Sequence, residues 1–462
     1  MHDMYSRHIQ FKQFLLLLGD YAIFHLALVA TLFLRYGAVT STDYHNHLLP
    51  FAILGVLWVV SFYVVGLYDL ALTRDSLRFF RAYLEGMLAN LAIALGFFYL
   101  IPIFGIAPRT NLLLYFACGL LLGYAWRLMF NRAIAPALFR NRVLYVGNAM
   151  DAAKVHNLFQ KSAHGFELVA LLETAPGTRF DTGEVTWHAN LDAIDGVLRE
   201  RGVQTIVLGH RPDEIPGLRD ALYKTLFTPV TLLDRASLEE TVTGRVPVEY
   251  VSQTWFLEHL REHEKTWYEA LKRVGDLLLA IPVGVMTLSL FPFIAGLIKL
   301  SSSGPVFFRQ QRIGKHGAPL RLVKFRTMKA DAEKNGAQFT ADAKTDPRLF
   351  PVGRFLRRTR LDELPQVWNI LRGDMSFIGP RPERPEFVEE LIRQMPYYAL
   401  RHLTRPGLSG WAQVQYLTPI AKLDDNLVKL QYDLYYVKNR SILLDAAIFL
   451  KTIGIVLRRQ GT

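Results

Sequence analysis

The chain has 462 residues, of which 51% are hydrophobic, with a mean hydropathy of +0.16 and a net charge of +12. Two or three domains are expected at this length, and the composition argues against a wholly water-soluble protein. A single cysteine, Cys118, excludes intrachain disulfides and cysteine zinc sites and fits a reducing compartment, while the basic excess suits anionic lipid, phosphorylated substrates or nucleic acid.

Charged residues are scarce before residue 140. Apolar runs at 14–34, 48–67, 84–103 and 112–129 each approach the ~20 residues that cross a hydrocarbon core, so four transmembrane helices are expected. The first run is too long for a signal-peptide core and lacks a small-residue cleavage site, so no cleavable leader is expected. Arg7 and Lys12, then Arg74, Arg78 and Arg81, then Arg127, Arg132, Arg140 and Arg142 flank one side, whereas the other side carries little beyond Arg35 and Arg109. This bias puts both ends of the bundle in the cytoplasm. Asp20, inside the first run, is either part of a polar pathway or, more commonly for such groups, a helix-packing contact.

From Asn141 the chain turns globular. Apolar runs beginning at Arg142, Gln204 and Pro229, with helical patterns between them, predict a doubly wound α/β domain over residues 136–262. A dinucleotide site needs several glycines where the first strand meets its helix. Gly147 stands alone there, followed by Asn148, Ala149, Met150 and Asp151, so a structural or dimerising role is expected over nucleotide binding.

Residues 277–300 form a fifth long apolar stretch. Lys272 and Arg273 precede it and Lys299, Arg309, Arg312 and Lys315 follow, so both flanks read as cytoplasmic. Pro282 and Pro292 would break or bend the helix. A re-entrant helix, entering and leaving on one side, satisfies both facts; a kinked spanning helix is the alternative.

The chemistry-bearing motifs lie between residues 304 and 411: Leu322-Val-Lys-Phe-Arg-Thr-Met, Val352-Gly-Arg-Phe-Leu-Arg-Arg-Thr-Arg-Leu-Asp-Glu-Leu-Pro-Gln-Val-Trp-Asn, Ile378-Gly-Pro-Arg-Pro-Glu and Thr404-Arg-Pro-Gly-Leu-Ser-Gly-Trp. Asp362 and Glu363 lead into a helical pattern whose Pro365 suits a first turn, and adjacent helical side chains diverge by about 100°. The two carboxylates are therefore expected to do different jobs. One beside Arg357, Arg358 and Arg360 should stay ionised, as a nucleophile or a metal ligand must. These arginines, with Lys324, Arg326, Arg381 and Arg405, and Arg312 upstream, are candidate phosphate-binding residues, and Mg²⁺ suits one or two carboxylates plus substrate phosphates. Taken singly, an Asp-Glu pair is more often a helix cap and an arginine run more often a headgroup contact.

Together and in this order, these motifs closely resemble the catalytic domain of the monotopic phosphoglycosyl transferases, from Lys272-Arg273 to about Leu457 and including Gln431-Tyr-Asp-Leu-Tyr-Tyr. The amino-terminal helices and α/β domain resemble the large subclass, the initiating sugar-phosphate transferases of exopolysaccharide or O-antigen synthesis. The resemblance implies Asp362 as nucleophile, Glu363 as Mg²⁺ ligand, and Lys324, Arg357, Arg381 and Arg405 as phosphate or uridine contacts. It implies a UDP-sugar and undecaprenyl phosphate as substrates and a re-entrant helix at 277–300. The expected architecture is a membrane helical bundle (1–135), a Rossmann-like cytoplasmic domain (136–262) and a mostly α, membrane-embedded catalytic domain (263–462), in a multi-pass protein of the bacterial inner membrane. A homodimer is expected, and residues 446–459, with Lys451, Arg458 and Arg459, are expected along the membrane surface. Nucleic-acid binding is not expected, because no recognition module is present. The rivals are a catalytically silent assembly scaffold and a glycosyltransferase that passes only the sugar.

Overall fold

A computed structural model of the chain describes residues 3–68, 76–100, 109–134, 141–161, 165–174, 185–225, 227–260, 262–329, 332, 346–416 and 423–458. Arg74, Arg140 and Arg459 lie outside the described residues, as do the side chains of Arg7, Arg78 and Arg109. The chain falls into two compact units, residues 1–243 and 244–462.

The first unit opens with four long helices, α1 (Asp3–Tyr36), α2 (Ser41–Val65), α3 (Ser76–Leu100) and α4 (Arg109–Met129), each long and apolar enough to cross a membrane. Helix α2 starts where the Thr40 hydroxyl accepts from the Asp43 amide and stops at Gly66, whose φ of 82° a side chain would disfavour. Phe24, Phe51, Trp58, Phe62, Tyr83 and Tyr115 fill the bundle core, while Leu18, Leu26, Leu113 and Leu121 face outward, as helices solvated by lipid require. Asp20 accepts from Arg127 Nε at 3.0 Å, from Arg127 Nη2 and from the Tyr68 hydroxyl at 2.7 Å. Arg127 also donates to the Leu67 carbonyl at 2.6 Å. Asp20 is thus a packing partner of Arg127, and removing either member alone would strand a buried charge at a cost of about 3–5 kcal/mol.

The same unit carries a five-stranded parallel sheet of order β3-β2-β1-β4-β5, built from β1 (Asn141–Gly147), β2 (Phe166–Glu173), β3 (Thr186–His188), β4 (Thr205–Leu208) and β5 (Thr231–Asp234). Alternate residues of each strand feed opposite layers. Val143, Tyr145, Leu171 and Val207 pack with α5 (Ala149–Lys161) and a helix at Arg235–Thr243; Leu144, Val146, Ala170 and Ile206 pack with helices at Ile194–Arg201 and Leu218–Thr225. Burial on both faces explains the continuous apolar runs. At the mouth of β1, the Asn148 side chain accepts from the Asp151 amide at 2.7 Å and donates to its carboxylate at 2.9 Å, and that carboxylate pairs with the buried Arg235. The acid in the first turn of α5 is thus engaged by Asn148 and Arg235.

The second unit is organised on α6 (Thr266–Ser301), the fifth helix long and apolar enough to span. The expected break is not an interruption: the helix runs through both Pro282 and Pro292. Each proline removes one backbone donor, and the turns on either side continue; the Thr287 and Ser289 hydroxyls donate back to the Val283 and Val285 carbonyls, a pattern that bends helices without ending them. Both ends of α6 are tied to the folded unit. Arg273 donates to the Ile370 and Leu371 carbonyls at 2.6 and 2.8 Å, Lys272 to Asp445 at 2.6 Å, and Asp276 accepts from Ser376 Oγ and the Phe377 amide. At the other end Ile294 and Ile298 are buried with Phe325, Phe350 and Leu356. Between the ends Ile281, Val285, Leu288 and Phe293 stand 60–74% exposed.

Against α6 lies a hairpin of β6 (Phe307–Ile313) and β7 (Pro319–Phe325), then α7 (Pro351–Arg358), a 3₁₀ turn at Leu361–Gln366, and α8 (Val367–Arg372). The Asn369 amide works as a strand would: Nδ2 donates to the Arg321 carbonyl and Oδ1 accepts from the Val323 amide, fixing α8 on the edge of β7. Short parallel strands β8 (Ser376–Ile378) and β9 (Gly407–Ser409) follow, then α9 (Leu423–Asn439) and α10 (Ile442–Leu457).

Candidate active site

Arg360, in the left-handed region at φ 59°, turns the chain from α7 into the 3₁₀ turn that presents Asp362 and Glu363. The sequence predicts the start of an α-helix here; the tighter 3₁₀ turn, with Pro365 inside it, separates adjacent side chains by about 120°. The carboxylates, 6% and 7% exposed, therefore meet different neighbours.

Glu363 Oε1 accepts from Lys324 Nζ at 2.9 Å and from Arg381 Nη2 at 2.8 Å, with Arg360 at 3.8 Å. Burial alone would raise its pKa, but Lys324, Arg381 and Arg360 outweigh it and hold this carboxyl well below the usual range. Asp362 takes no such bond: its Oδ1 is buried without a partner. Burial, and then the charge on Glu363, push Asp362 up to about 6 against the pull of Lys324, Arg360 and Arg357. One carboxylate is locked and ionised; its neighbour is desolvated and free to react.

Arg357, whose charge acts on Asp362, is also uncommitted at one nitrogen. Arg357 Nη1 is buried without a hydrogen bond, 3.8 Å from Asp346. Asp346, 1% exposed, is gripped by Arg348 through its amide at 3.0 Å and its guanidinium at 2.9 and 2.7 Å. Gln366, 2% exposed, holds a buried Nε2 with no partner. Buried polar atoms left unpaired are costly, so the unbonded Asp362 oxygen and the unbonded nitrogen of Arg357, whose charge acts on Asp362, make this a candidate ligand site.

Of the residues singled out from sequence, the fold brings together Asp362, Glu363, Lys324, Arg357, Arg360 and Arg381, while Arg358 is exposed at the end of α7. Three others make their contacts elsewhere. Arg326 donates to the carbonyls of Ser302 at 2.7 Å and of Ser303, closing the end of α6. Arg312 donates to the Pro382 carbonyl at 3.3 Å and lies 3.5 Å from Glu383. Arg405 lies 3.8 Å from Glu269. Among the described residues, no group of three or more His, Cys, Asp or Glu side chains could hold a metal by itself.

The loop at residues 379–383 that carries Arg381 is held almost atom by atom. The carbonyls of Pro380, Pro382 and Glu383 accept from the Gly407 amide, Arg312 and the Ile313 amide at 2.9, 3.3 and 3.0 Å. Gly379 and Gly407 face each other so closely that a Cβ on Gly407 would overlap the Gly379 backbone, which is why glycine is required there.

The bacterial sugar transferase family model matches residues 267–459, the region that contains all of these groups. An exopolysaccharide production protein, PSS, of Rhizobium leguminosarum bv. phaseoli is 39% identical over 197 residues, which cover 41% of this chain and 96% of that protein. The chain belongs to the bacterial sugar transferase family. It is also similar to the UDP-N-acetylgalactosamine-undecaprenyl-phosphate N-acetylgalactosaminephosphotransferase of Aeromonas hydrophila, 40% identical over 263 residues that cover 55% of this chain and 59% of the relative. The UDP-glucose:undecaprenyl-phosphate glucose-1-phosphate transferase of Escherichia coli (strain K12) is 40% identical over 184 residues, covering 40% and 39%. The chain thus spans about 59% and 39% of the lengths of these two relatives.

Within this sugar transferase region the sequence reading missed Asp346 and Gln366. Asp346, in Asp-Pro-Arg, carries a local signal, since an acid before proline commonly shapes a turn. Gln366 carries none, because only the fold reveals that its amide is buried.

Proposed function

We propose that the chain transfers a sugar-1-phosphate from a UDP-sugar to undecaprenyl phosphate at the cytoplasmic face of a bacterial inner membrane, giving undecaprenyl-diphosphate-sugar and UMP. The observation that carries this reading is the buried, unpartnered Asp362 oxygen beside a Glu363 clamped by Lys324 and Arg381. The names of the Aeromonas and Escherichia relatives support the substrate class. An Asp362 oxygen attacks the sugar-bearing phosphorus, the bond to UMP breaks, and a phosphosugar remains on the aspartate. An undecaprenyl phosphate oxygen then attacks that phosphorus and frees Asp362. Splitting the transfer lets two anionic substrates meet the enzyme in turn.

Lys324 and Arg381 both take the same Glu363 oxygen, so the other oxygen and substrate phosphates suit Mg²⁺, a cation commonly held by one or two carboxylates plus phosphates. When bound, Mg²⁺ would neutralise charge on the phosphoryl oxygens. The functional test is a panel of UDP-glucose, UDP-galactose and their N-acetylated amino sugars with undecaprenyl phosphate. Release of UMP supports the reading; release of UDP, or of no nucleotide with any donor, refutes it.

The nucleophile must be ionised, so kcat/KM is expected to rise with pH through about 6 and level off above it, falling tenfold per unit below. A flat profile between pH 5 and 8 would place the reactive group elsewhere.

The ties at both ends of α6, with exposed apolar residues between them, support a re-entrant course. A cysteine at Ser302 in a Cys118→Ser background is expected to resist an impermeant thiol reagent on spheroplasts and to react once they are lysed. Labelling of intact spheroplasts contradicts this course. The α/β domain is assigned to homodimerisation, supported by Met150, Tyr223 and Phe227, which are 65–86% exposed. Deleting residues 141–243 should leave particles of one chain where the full protein has two, while changing turnover less than about threefold. Truncated particles that still hold two chains would remove that assignment.

A further inference from the structure

The Gln431-Tyr-Asp motif of α9 lies outside the carboxylate cluster, yet it reaches the loop that supplies one of the two cations on Glu363. Asp433 is 2% exposed and accepts from Arg401 Nη2 at 2.7 Å. The same Nη2 donates to the Arg381 carbonyl at 2.9 Å, and Arg401 Nη1 donates to the Tyr398 hydroxyl at 2.7 Å. The Arg401 guanidinium also stands over the Tyr398 ring, 5.1 Å from its centroid. One turn along α9, Tyr436 contacts the Ile378 carbonyl at 3.4 Å, just before the loop begins. Two residues on one face of α9 therefore address the segment at residues 378–381.

Of the four carbonyls from Pro380 to Glu383, two accept from backbone amides and two from arginines, and the arginine on residue 381 is the one anchored by a buried acid. A core ion pair is a weak stabiliser compared with apolar packing, so its role is better sought in what it positions. A carbonyl fixed by a charged donor sets the backbone from which Arg381 extends to Glu363 Oε1 at 2.8 Å.

We propose that Asp433 and Arg401 are positioning residues: Asp433 orients Arg401, Arg401 fixes the Arg381 carbonyl, and this aims the Arg381 guanidinium at Glu363. The inference rests on the sugar-phosphate transfer proposed above, in which Arg381 serves the reacting site.

The test uses the full chain in nanodiscs with four variants: Asp433→Asn, Arg381→Ala, their combination, and Arg401→Gln with Asp433→Asn, which removes both buried charges should Asp433→Asn alone fold poorly. Asp433→Asn is expected to lower kcat/KM for UMP release from whichever of UDP-glucose and UDP-N-acetylgalactosamine turns over by about 10- to 100-fold, as small misplacements of a binding group do. In the Arg381→Ala background the same substitution should cost less than about twofold, because its effect passes through Arg381. Amide hydrogen exchange should speed up across residues 379–383 in Asp433→Asn and in the doubly neutral variant, with α8 and β7 unchanged. Losses that multiply in the Arg381→Ala background, or exchange that rises uniformly or not at all, would overturn the proposal and leave the pair a structural one. If no variant and no wild-type protein releases UMP, the functional reading fails while loop exchange still decides the positioning role.

Discussion

Asp362→Asn is expected to lower the turnover number for UMP release by at least about a thousandfold while changing nucleotide-sugar affinity no more than a few fold. The amide keeps the shape of the side chain, and its site already excludes water. What it loses is the nucleophilic oxygen. Because Lys324 and Arg381 are engaged by Glu363, the donors that hold a phosphate near Asp362 should survive the change. Single-turnover kinetics with a radiolabelled UDP-sugar, beside equilibrium binding of UMP, separate the two effects. A variant that keeps near-normal turnover would exclude the covalent route.

Glu363→Gln should lower turnover by about a hundredfold or more and raise the Mg²⁺ concentration needed for half-maximal rate. Three cations, Lys324, Arg381 and Arg360, surround this carboxylate within 3.8 Å. An amide leaves them without a counter-charge in a buried site, so Lys324 and Arg381 are free to turn toward Asp362 and lower its pKa. The pH–rate profile should therefore move to lower pH in this variant, all the more because the Glu363 charge that raises Asp362 is gone. Titration of the rate with Mg²⁺ across pH 5 to 8 measures both. An unaltered Mg²⁺ dependence would place the metal away from Glu363.

Much of this was legible in the sequence for reasons that are local. Transmembrane helices show themselves because lipid demands long apolar runs, and the described helices α1 to α4 cover most of the runs at 14–34, 48–67, 84–103 and 112–129, each beginning 3 to 11 residues earlier. The parallel sheet was legible because strands buried on both faces read as continuous apolar stretches. Asp362 and Glu363 stood out by being embedded in arginines. The sequence was less informative about which arginine goes where. Arg326 lies two residues after Lys324 in the same motif, yet Lys324 reaches Glu363 and Arg326 turns back to the end of α6. Nothing in spacing separates them, because β7 ends at Phe325 and the direction of a side chain past a strand end is set by tertiary contacts. Pro282 and Pro292 do not end the helix, for a related reason. A proline's local cost is one hydrogen bond, and a 36-residue helix anchored at both ends absorbs it.

Asp362 is proposed to carry the phosphosugar between two half-reactions. The most direct test mixes enzyme in nanodiscs with UDP-sugar and Mg²⁺ in the absence of undecaprenyl phosphate, quenches within seconds, and quantifies UMP and protein-bound sugar phosphate. A covalent route through Asp362 gives a burst of UMP equal to the amount of active enzyme, a matching adduct on the peptide containing Asp362, and neither in Asp362→Asn. UMP that forms only when undecaprenyl phosphate is present, with no protein-bound sugar phosphate at any time, would contradict it.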